Sequence, residues 1–265
     1  MAWKRIIPCL LAAPLILVLP DAFARRPPTQ APPPAALGAR AWNFDMDKVG
    51  EAPSGWLIRS THPGAALATW QVMADPTAPS KPNVFTITKT QNKGTTFNLA
   101  IRSDTRLKDL EASVRIRPNT GKEDQGGGLI WRCKDENNYY ICRLNPLESN
   151  FRVYKVIDGK RIQLQTANVK AKAGKWYSLK VVMVGTQITC LLDEAKLLEA
   201  TDDAISEAGM IGLWSKADAA SSFDDLTLQS PRDTRYIGPP EHAPAAGQQA
   251  PGKGDKDGPE GGDKQ

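Results

Sequence analysis

The chain has 265 residues, and its 34 lysines and arginines outnumber the 29 aspartates and glutamates, which gives a formal net charge of +5. A basic protein can bind nucleic acid or an anionic surface. Here, however, basic and acidic residues alternate along the predicted strands, and the sequence has no Lys/Arg-dense helix, zinc-finger spacing or RNA-binding aromatic motif. We therefore expect a solvated surface of mixed charge and no nucleic-acid partner.

Residues 1–24 predict a secretory signal peptide. Lys4 and Arg5 precede an apolar run at 9–19, and Ala22-Phe23-Ala24 supplies the small residues of a cleavage site. The alternative is an uncleaved anchor, but a run of about 11 residues is short for a bilayer, which needs about 20. Cleavage after Ala24 would export the protein to the periplasm or the cell exterior. No later segment has the length and apolar character of a transmembrane span.

Composition divides the rest of the chain into three parts. Residues 25–40 are proline-rich without alternation, which predicts an extended linker. Residues 236–265 are rich in Gly, Pro, Lys, Asp and Gln without periodic apolar positions, which predicts a disordered tail. The remaining residues, 41–235, form one domain of a size that a single β-sandwich core can fill, and we expect it to be monomeric.

Short strands separated by turns fill this domain. A turn at 53–56 precedes one of them, and only 202–207 has the pattern of a helical turn. The other strands outside the central stretch are predicted at 42–45, 70–73, 83–88, 97–101, 110–116, 162–165, 176–184, 188–192, 210–214 and 223–228. Many strands at regular spacing, with no internal repeat, predict an all-β antiparallel sandwich or barrel.

The central stretch, residues 126–156, contains most of the clustered aromatic and arginine side chains. Strands 129–133 and 139–144 flank the turn-rich segment 134–138 and predict a hairpin, and a third strand begins at 151. With a symmetric turn, alternation directs one set of side chains to the core: Leu129, Trp131, Cys133, Tyr140, Cys142, Leu144, Phe151 and Val153. It directs the other set outward: Ile130, Arg132, Tyr139, Ile141, Arg143, Arg152 and Tyr154.

Three cysteines remain after the predicted cleavage, in a compartment that permits disulfides: Cys133, Cys142 and Cys190. We expect three buried thiols in the core. A bridge between Cys133 and Cys142 would run diagonally across the hairpin at about 7 Å, which is marginal for a disulfide. The Cys and His spacings of a zinc site are missing.

A series of short motifs follows in order between residues 42 and 230: Phe44-Asp45, Gly55-Trp56, Gly127-Gly128-Leu129-Ile130-Trp131-Arg132, Asn138-Tyr139-Tyr140, Trp176-Tyr177-Ser178-Leu179, Leu192-Asp193, Gly209-Met210-Ile211-Gly212-Leu213-Trp214 and Phe223-Asp224-Asp225. This order resembles the concanavalin A-like, LamG-type jelly roll. More specifically it is similar to the secreted bacterial 3-keto-disaccharide hydrolase family, also described as 3-keto-glycoside lyase or hydratase domains. One departure is Glu194, where such domains often have glycine.

The resemblance implies a two-sheet β-sandwich in which the first strand, at Phe44-Asp45, lies beside the last strand, at Phe223-Asp224-Asp225. It also implies that carboxylates at this junction hold one calcium ion, which prefers hard oxygen ligands. Asp45 and Asp225 are the candidates. Since aspartates at strand ends are commonly turn formers, the alternative is that they bind no metal.

Catalytic motifs are scarce in the sequence. Retaining glycosidases use two carboxylates about 5 Å apart, and no alternating carboxylate run is present; the acidic residues lie mostly in turns. After cleavage the only histidines are His62 and His242, which makes a His-based triad or metal centre hard to build. If the lyase or hydrolase chemistry of the resemblance is present, its acid and base must come from Glu, Asp, Lys or Tyr on the arginine-bearing face.

A binding function requires less of the sequence. Aromatic rings stack on the apolar faces of sugars, and arginine offers bidentate donors. The predicted ligand-binding residues are Arg132, Tyr139, Arg143, Arg152, Tyr154, Trp214 and Lys216. The equally weighted alternative is that the aromatic residues are core and the arginines form ion pairs. We predict non-catalytic binding of a carbohydrate or glycoconjugate, with a keto-glycoside hydrolase or lyase and a structural envelope protein as alternatives.

Overall fold

The computed structural model describes residues 38–64 and 66–231, which form fifteen β-strands and no helix. In chain order these are β1 (Arg40–Trp42), β2 (Trp56–Thr61), β3 (Thr69–Ala74), β4 (Asn83–Lys89), β5 (Phe97–Leu107), β6 (Leu110–Thr120), β7 (Gly127–Asp135), β8 (Asn138–Asn145), β9 (Asn150–Ile157), β10 (Lys160–Asn168), β11 (Tyr177–Val184), β12 (Gln187–Leu192), β13 (Ala195–Thr201), β14 (Gly209–Lys216) and β15 (Ala220–Gln229). The predicted signal peptide, most of the linker and the tail at 236–265 lie outside these residues. Over the described ranges no helix is long and apolar enough to cross a membrane.

The strands form two antiparallel sheets. The eight-stranded sheet has the order β13-β12-β11-β6-β15-β4-β3, with β1 paired to β15. The seven-stranded sheet has the order β10-β9-β8-β7-β14-β5-β2. The last two strands of the chain are interior strands: β14 lies within the seven-stranded sheet and β15 within the eight-stranded sheet. The predicted all-β, two-sheet jelly roll is therefore confirmed.

The main core lies between the sheets and follows from strict alternation. In β6 the apolar residues Leu110, Ala112, Val114 and Ile116 are buried, while the intervening residues are half-buried. Such alternation places one face of a strand against the partner sheet. Burying each large aliphatic side chain stabilises the fold by about 1.5 to 3 kcal/mol.

The first and last strands meet as predicted. β1 pairs with β15 in the register Trp42 with Leu226, although β1 lies slightly earlier in the chain than expected because Phe44 has a positive φ of 63°. Residues 202–207, whose pattern suggested a helical turn, form only bends and irregular loop. The sequence also failed to indicate β13.

The central hairpin forms, but its register changes before the turn. Ile130 pairs with Ile141 and Trp131 with Tyr140, and the next pair is Asp135 with Asn138, so β7 contains a bulge. Arg132, in the bulge, has a positive φ of 44°. A bulge re-aims the side chains that follow it.

Two predicted orientations are therefore wrong. Cys133 was expected in the core between the sheets, but it packs in the cluster on the opposite face of its sheet. Arg132 was expected on that outer face as a ligand-binding residue, but its guanidinium reaches loops at one end of the sandwich. The other inward residues, from Leu129 to Val153, lie in the inter-sheet core.

The cysteines are buried free thiols throughout the described part of the chain, as expected for core residues. Burial raises the pKa of Cys133 to about 12. Burial is the main cause that raises the pKa of the Cys142 thiol, and a hydrogen bond with Cys190 adds to it. The Cys142 and Cys190 thiols therefore lie side by side between the sheets.

Candidate functional site

The outer face of the seven-stranded sheet is apolar and buried, which is unusual for a face directed away from the main core. Its floor consists of Phe97, Leu99, Ile101, Ile130, Cys133, Tyr139, Ile141, Tyr154, Val156 and Trp214. Each of these side chains is at most 2% exposed. We call this surface, together with the polar residues around it, the concave face.

Curling of the sheet explains this burial. The Arg161 guanidinium carbon lies 4.6 Å from the ring centroid of Tyr154 on β9 and 5.3 Å from that of Phe97 on β5. The two rings are therefore no more than about 10 Å apart, whereas four strand intervals would separate β9 from β5 by about 19 Å in a flat sheet. The side chains of distant strands thus converge above the concave face.

One end of the concave face is closed by contacts between opposite edges of the sheet. The Thr61 hydroxyl at the end of β2 shares a hydrogen bond of 2.9 Å with the Tyr139 hydroxyl and donates another to the Glu136 carbonyl in the β7–β8 turn. The ring nitrogen Nε2 of His62 lies 2.9 Å from the carbonyl oxygen of Gly159, in the β9–β10 turn. Tyr139 is fully buried by this closure, so its hydroxyl is occupied by the fold.

Arginines converge on the Tyr154 side chain. Arg143 Nη2 donates to the Tyr154 hydroxyl at 3.1 Å and Arg152 Nη1 at 3.3 Å. Arg161 stacks on the same ring. Three cationic side chains therefore surround one buried phenol, and cation–π attraction holds the two that lie over its ring.

Glu148, in the β8–β9 loop, balances part of this charge. Its Oε2 accepts from Arg143 Nη2 at 2.8 Å and from Asn150 Nδ2 at 3.0 Å, and Arg152 Nη1 lies 3.4 Å away. Burial acts to raise the pKa of Glu148, but attraction and hydrogen bonding from Arg143 outweigh it and lower this pKa to about 2. Glu148 is thus ionised at neutral pH, and its side chain is 37% exposed, so a ligand can reach it.

Asp124 lies buried at the same end, in the β6–β7 loop, and is only 1% exposed. Its Oδ1 accepts from the Gly126 amide at 2.7 Å and from Asn145 Nδ2 at 3.2 Å, whereas its Oδ2 has no hydrogen-bond partner. Burial raises the pKa of Asp124, and attraction to Arg143 and Lys216 only partly opposes this. The Asp124 carboxylate is therefore a stronger base than that of a solvent-exposed aspartate.

Unpaired polar atoms are concentrated on the concave face. Across the described residues, the buried side-chain nitrogens and oxygens without a partner are those of Trp56, Trp70, Arg115, Asp124, Arg143, Arg161 and Trp214. The last four lie on the concave face. The Trp214 indole faces the Tyr139 hydroxyl and, by hydrogen bonding, opposes the rise in the pKa of Tyr139 that burial causes. Buried polar groups are normally hydrogen-bonded, so the atoms of Asp124, Arg143 and Arg161 are exceptions on this face.

Most of the predicted binding residues share this face. Six of them lie there: Tyr139, Arg143, Arg152, Tyr154, Trp214 and Lys216. Lys216 is included because it follows Trp214 by two residues on β14, so its side chain is on the same face. Arg132 does not. It donates to the carbonyls of Lys108, Gly185 and Ile205 at 2.7, 2.7 and 2.8 Å and lies 3.3 Å from Asp109 Oδ1.

The sequence did not indicate Asp124, Glu148 or Arg161 as site residues. Arg161 lies just before the predicted strand at 162–165, and its pairing opposite Val156 in the β9–β10 ladder places it on this face. Asp124 and Glu148 lie in loops, where no periodicity assigns an orientation.

The proposed calcium ligands Asp45 and Asp225 lie near each other at the β1–β15 junction, beside Asp224. The Asp45 carboxylate accepts from the Ser80 hydroxyl at 2.5 Å and from the Asn83 amide at 3.1 Å. Within the described residues, no group of three or more His, Cys, Asp or Glu side chains is placed to hold a metal ion. The Asp45 carboxylate thus already accepts hydrogen bonds from the protein. Calcium binding stays a prediction.

Solved structures share the fold. The cellulose induced protein Cip1 superposes with a TM-score of 0.56 at 14% identity, over 73% of this chain and 98% of that protein. The carbohydrate binding module CBM66 from Bacillus subtilis superposes with a TM-score of 0.52 at 20% identity, over 66% of this chain and 96% of the module. At these identities the likeness concerns the fold alone. No curated protein matches the sequence.

A family model assigns the sequence more closely. Residues 50–229 match the 3-keto-alpha-glucoside-1,2-lyase-like domain. The match runs from before β2 to the end of β15, so it includes every strand of the seven-stranded sheet and every residue of the concave face described above. The described domain is thus a jelly roll of a glycoside-related family, and the chain belongs to the 3-keto-alpha-glucoside-1,2-lyase-like domain family.

Proposed function

We propose that the concave face binds a glycoside. The observation that carries this proposal is the cluster of buried polar atoms without partners, at Asp124, Arg143 and Arg161, beside the accessible carboxylate of Glu148. A sugar offers hydroxyl groups that both donate and accept hydrogen bonds, so it could pair directly with Glu148, which is 37% exposed. It would reach the buried atoms only after the side chains above them move. The family assignment to glycoside-related domains supports the same class of ligand.

Glu148→Gln tests binding directly. The variant keeps the size of the side chain but removes its charge, and hydrogen bonds to charged groups contribute about 1.5 to 3 kcal/mol. We expect a ligand identified on a glycan array to bind at least about tenfold more weakly to the variant in calorimetric titration. Arg106→Gln, at an exposed arginine of β5, is the matched control. Absence of glycan binding by the unmodified protein, across neutral, keto and acidic sugars, would contradict the proposal.

A second candidate function is a lyase acting on a 3-keto-glycoside, and Asp124 favours it. A base can remove the C2 proton, which the adjacent C3 ketone acidifies; the C–H electron pair then forms the C1=C2 double bond as the C1–O bond breaks. The aglycone leaves with that bonding pair and takes up a proton. The unpaired Oδ2 of Asp124 and its raised pKa suit the role of proton acceptor. Arg143 and Lys216 are the nearby cations that would stabilise the enolate oxygen.

Product analysis separates the two candidates. The protein would be incubated with a 3-keto-glucoside, and the released aglycone and unsaturated sugar measured by mass spectrometry. A lyase should lose turnover in Asp124→Asn while retaining sugar binding. Binding without any product would favour the non-catalytic function. Export to the periplasm or cell exterior is part of the proposal, since the predicted signal peptide precedes the domain.

A further inference from the structure

The Arg161 side chain differs from those of Arg143 and Arg152 because it has no polar partner. Over residues 38–64 and 66–231 its guanidinium makes no hydrogen bond or ion pair with the protein, and its Nη1 is buried. Arg143 and Arg152, by contrast, share Glu148. A guanidinium has five N–H donors; those on Nη1 are buried without a partner, whereas the donors on Nε and Nη2 can still meet solvent or a ligand.

The Arg161 guanidinium is nevertheless fixed in place. It stacks against the rings of Tyr154 and Phe97, with 4.6 and 5.3 Å from its central carbon to the ring centroids. Stacking on two rings removes most of the freedom of a long side chain before any ligand arrives. The donors at the edge of the guanidinium remain available, because neither ring can accept them all.

The charge balance around Arg161 is also incomplete. Lys216, across the concave face on β14, has no carboxylate within 4.0 Å among the described residues, although it attracts Asp124 at longer range. Asp124 also attracts Arg143, so it does not balance Lys216 alone. Glu148 is already engaged with Arg143. Arg161 and Lys216 thus leave positive charge on this face without a matching carboxylate.

We propose that the concave face recognises a glycoside bearing an oxyanion substituent, with Arg161 as the primary anion-binding residue and Lys216 as its support. A planar guanidinium pairs in bidentate fashion with two oxygens of a carboxylate, sulfate or phosphate. The accessible carboxylate of Glu148 would then accept hydrogen bonds from the sugar hydroxyls. This inference rests on the proposed glycoside binding and adds the charge of the ligand to it.

Matched ligands test the inference. Binding would be measured by calorimetry at low and high salt for a neutral glucoside, the corresponding glucuronide, and the same glucoside carrying a 6-sulfate or 6-phosphate. We expect at least about tenfold tighter binding of an anionic form than of the neutral form at low salt, and a smaller ratio at high salt. Comparing the three anionic ligands shows whether a carboxylate, a sulfate or a phosphate group is recognised.

Variants then locate the recognition. Arg161→Gln should abolish the preference for the anionic ligand while keeping binding of the neutral sugar, and Arg106→Gln should leave the preference unchanged. Lys216→Gln provides a second variant if Arg161→Gln does not fold, and it should reduce the preference severalfold. Equal binding of neutral and anionic forms would overturn this inference and leave the proposed function intact. Failure of every sugar to bind would contradict the proposed function itself.

Discussion

Arg132 and Arg143 are each 1% exposed, but their surroundings give them different roles. Arg132 donates to carbonyl groups in three loops, which connect strands of both sheets. It therefore holds these loops in contact at one end of the sandwich. Arg143 contacts Glu148, Asn150 and Tyr154 within the concave face and keeps its Nε unpaired. The first arginine is completely satisfied by the fold, and the second is not.

Arg132→Met should destabilise the domain strongly. The substitution leaves the carbonyls of Lys108, Gly185 and Ile205 without their donors, and breaking one side of a buried charged network costs about 3 to 5 kcal/mol. Urea unfolding measures the change, with Arg106→Met as the exposed control. A loss below about 1 kcal/mol would show that Arg132 does not hold these loops.

Arg143→Ala should reduce both ligand affinity and stability. Alternation predicted this arginine only as an outward, ligand-binding residue, but its burial against Glu148 and Asn150 gives it a structural role as well. We expect binding to weaken by about 1.5 to 3 kcal/mol and the melting temperature to fall by several degrees. Calorimetric titration and thermal unfolding of the same samples give both values. Unchanged affinity in a folded variant would remove Arg143 from the binding site.

Alternation explains which residue orientations were predictable. It holds along β8 and β9, where Arg143, Arg152 and Tyr154 lie on the expected face. It fails at Arg132 because the bulge depends on acceptors that lie far away in sequence, in loops between other strands. The unpaired state of Arg161 also depends on Phe97, which is distant in sequence. Local pattern contains no information on such contacts.

At the level of elements, β13 shows why one strand was missed. Its sequence, Ala-Lys-Leu-Leu-Glu-Ala-Thr, is composed mostly of good helix formers, and only Leu198 is buried. Pairing with β12 makes it a strand. β-Structure at a sheet edge depends on such pairing more than on intrinsic preference, so the type of this element could not be read from the segment itself.

The β12–β13 turn offers a test of backbone strain. Asp193 and Glu194 are the two turn residues between the paired Leu192 and Ala195, and their φ angles are 47° and 65°. This is the geometry of a type I′ turn, which favours glycine at its second position. Glu194→Gly should raise the free energy of unfolding by about 1 kcal/mol.

The exposed contact of Glu194 with Lys180 contributes too little to offset this gain. Urea unfolding of Glu194→Gln, which removes the charge but keeps the side chain, separates the two effects. A destabilised glycine variant would show that the turn carries no strain.

The β1–β15 junction makes stability depend on pH. Burial raises the pKa of Asp224 to about 7, and repulsion from Asp225 and Asp45 adds to it. Between the ordinary value of 3.8 and about 7, the folded state keeps a proton that the unfolded state has lost. The free energy of unfolding should therefore fall as pH rises through this window, by at most about 1.4 kcal/mol per unit, and level off above it.

Urea unfolding from pH 5 to 8 measures this dependence. Asp225→Asn removes one like charge, so it should lower the pKa of Asp224 and flatten the curve. If Asp45 and Asp225 bind calcium, added calcium at pH 8 should raise the melting temperature and chelator should reverse the rise. A melting temperature that calcium leaves unchanged would count against the metal site, whatever the pH profile.

For the whole molecule, strand and turn signals that recur along nearly the entire domain predicted an antiparallel sandwich or barrel, and the family resemblance implied the two-sheet architecture. The sequence could not predict the curl of the seven-stranded sheet, which brings Thr61 to Tyr139 and His62 to Gly159 across several intervening strands. Twist accumulates over many pairings, and no single segment specifies it. The enclosed aromatic floor of the concave face was therefore visible only in the folded structure.

Processing of the N-terminus is the last prediction. Ala22-Phe23-Ala24 should direct cleavage before Arg25 when the full chain is expressed in a bacterium that exports it. Intact-mass measurement of the exported protein should match a chain that begins at Arg25. Replacing Ala22 and Ala24 with bulky residues should leave the precursor uncleaved. Exported protein that retains Met1 would rule out the signal peptide.

The positions of β14 and β15 inside the two sheets have a consequence for the order of events during synthesis. β14 lies between β7 and β5, and β15 lies between β6 and β4. A ribosome-bound chain that ends before Gly209 can form the β7–β8–β9–β10 and β2–β5 ladders, but it lacks the strands that join them. Each half-sheet would expose unpaired edges and apolar surface until about residue 229 has emerged. Native assembly of the two complete sheets is therefore postponed to the end of translation, and the nascent polypeptide stays only partly folded until then.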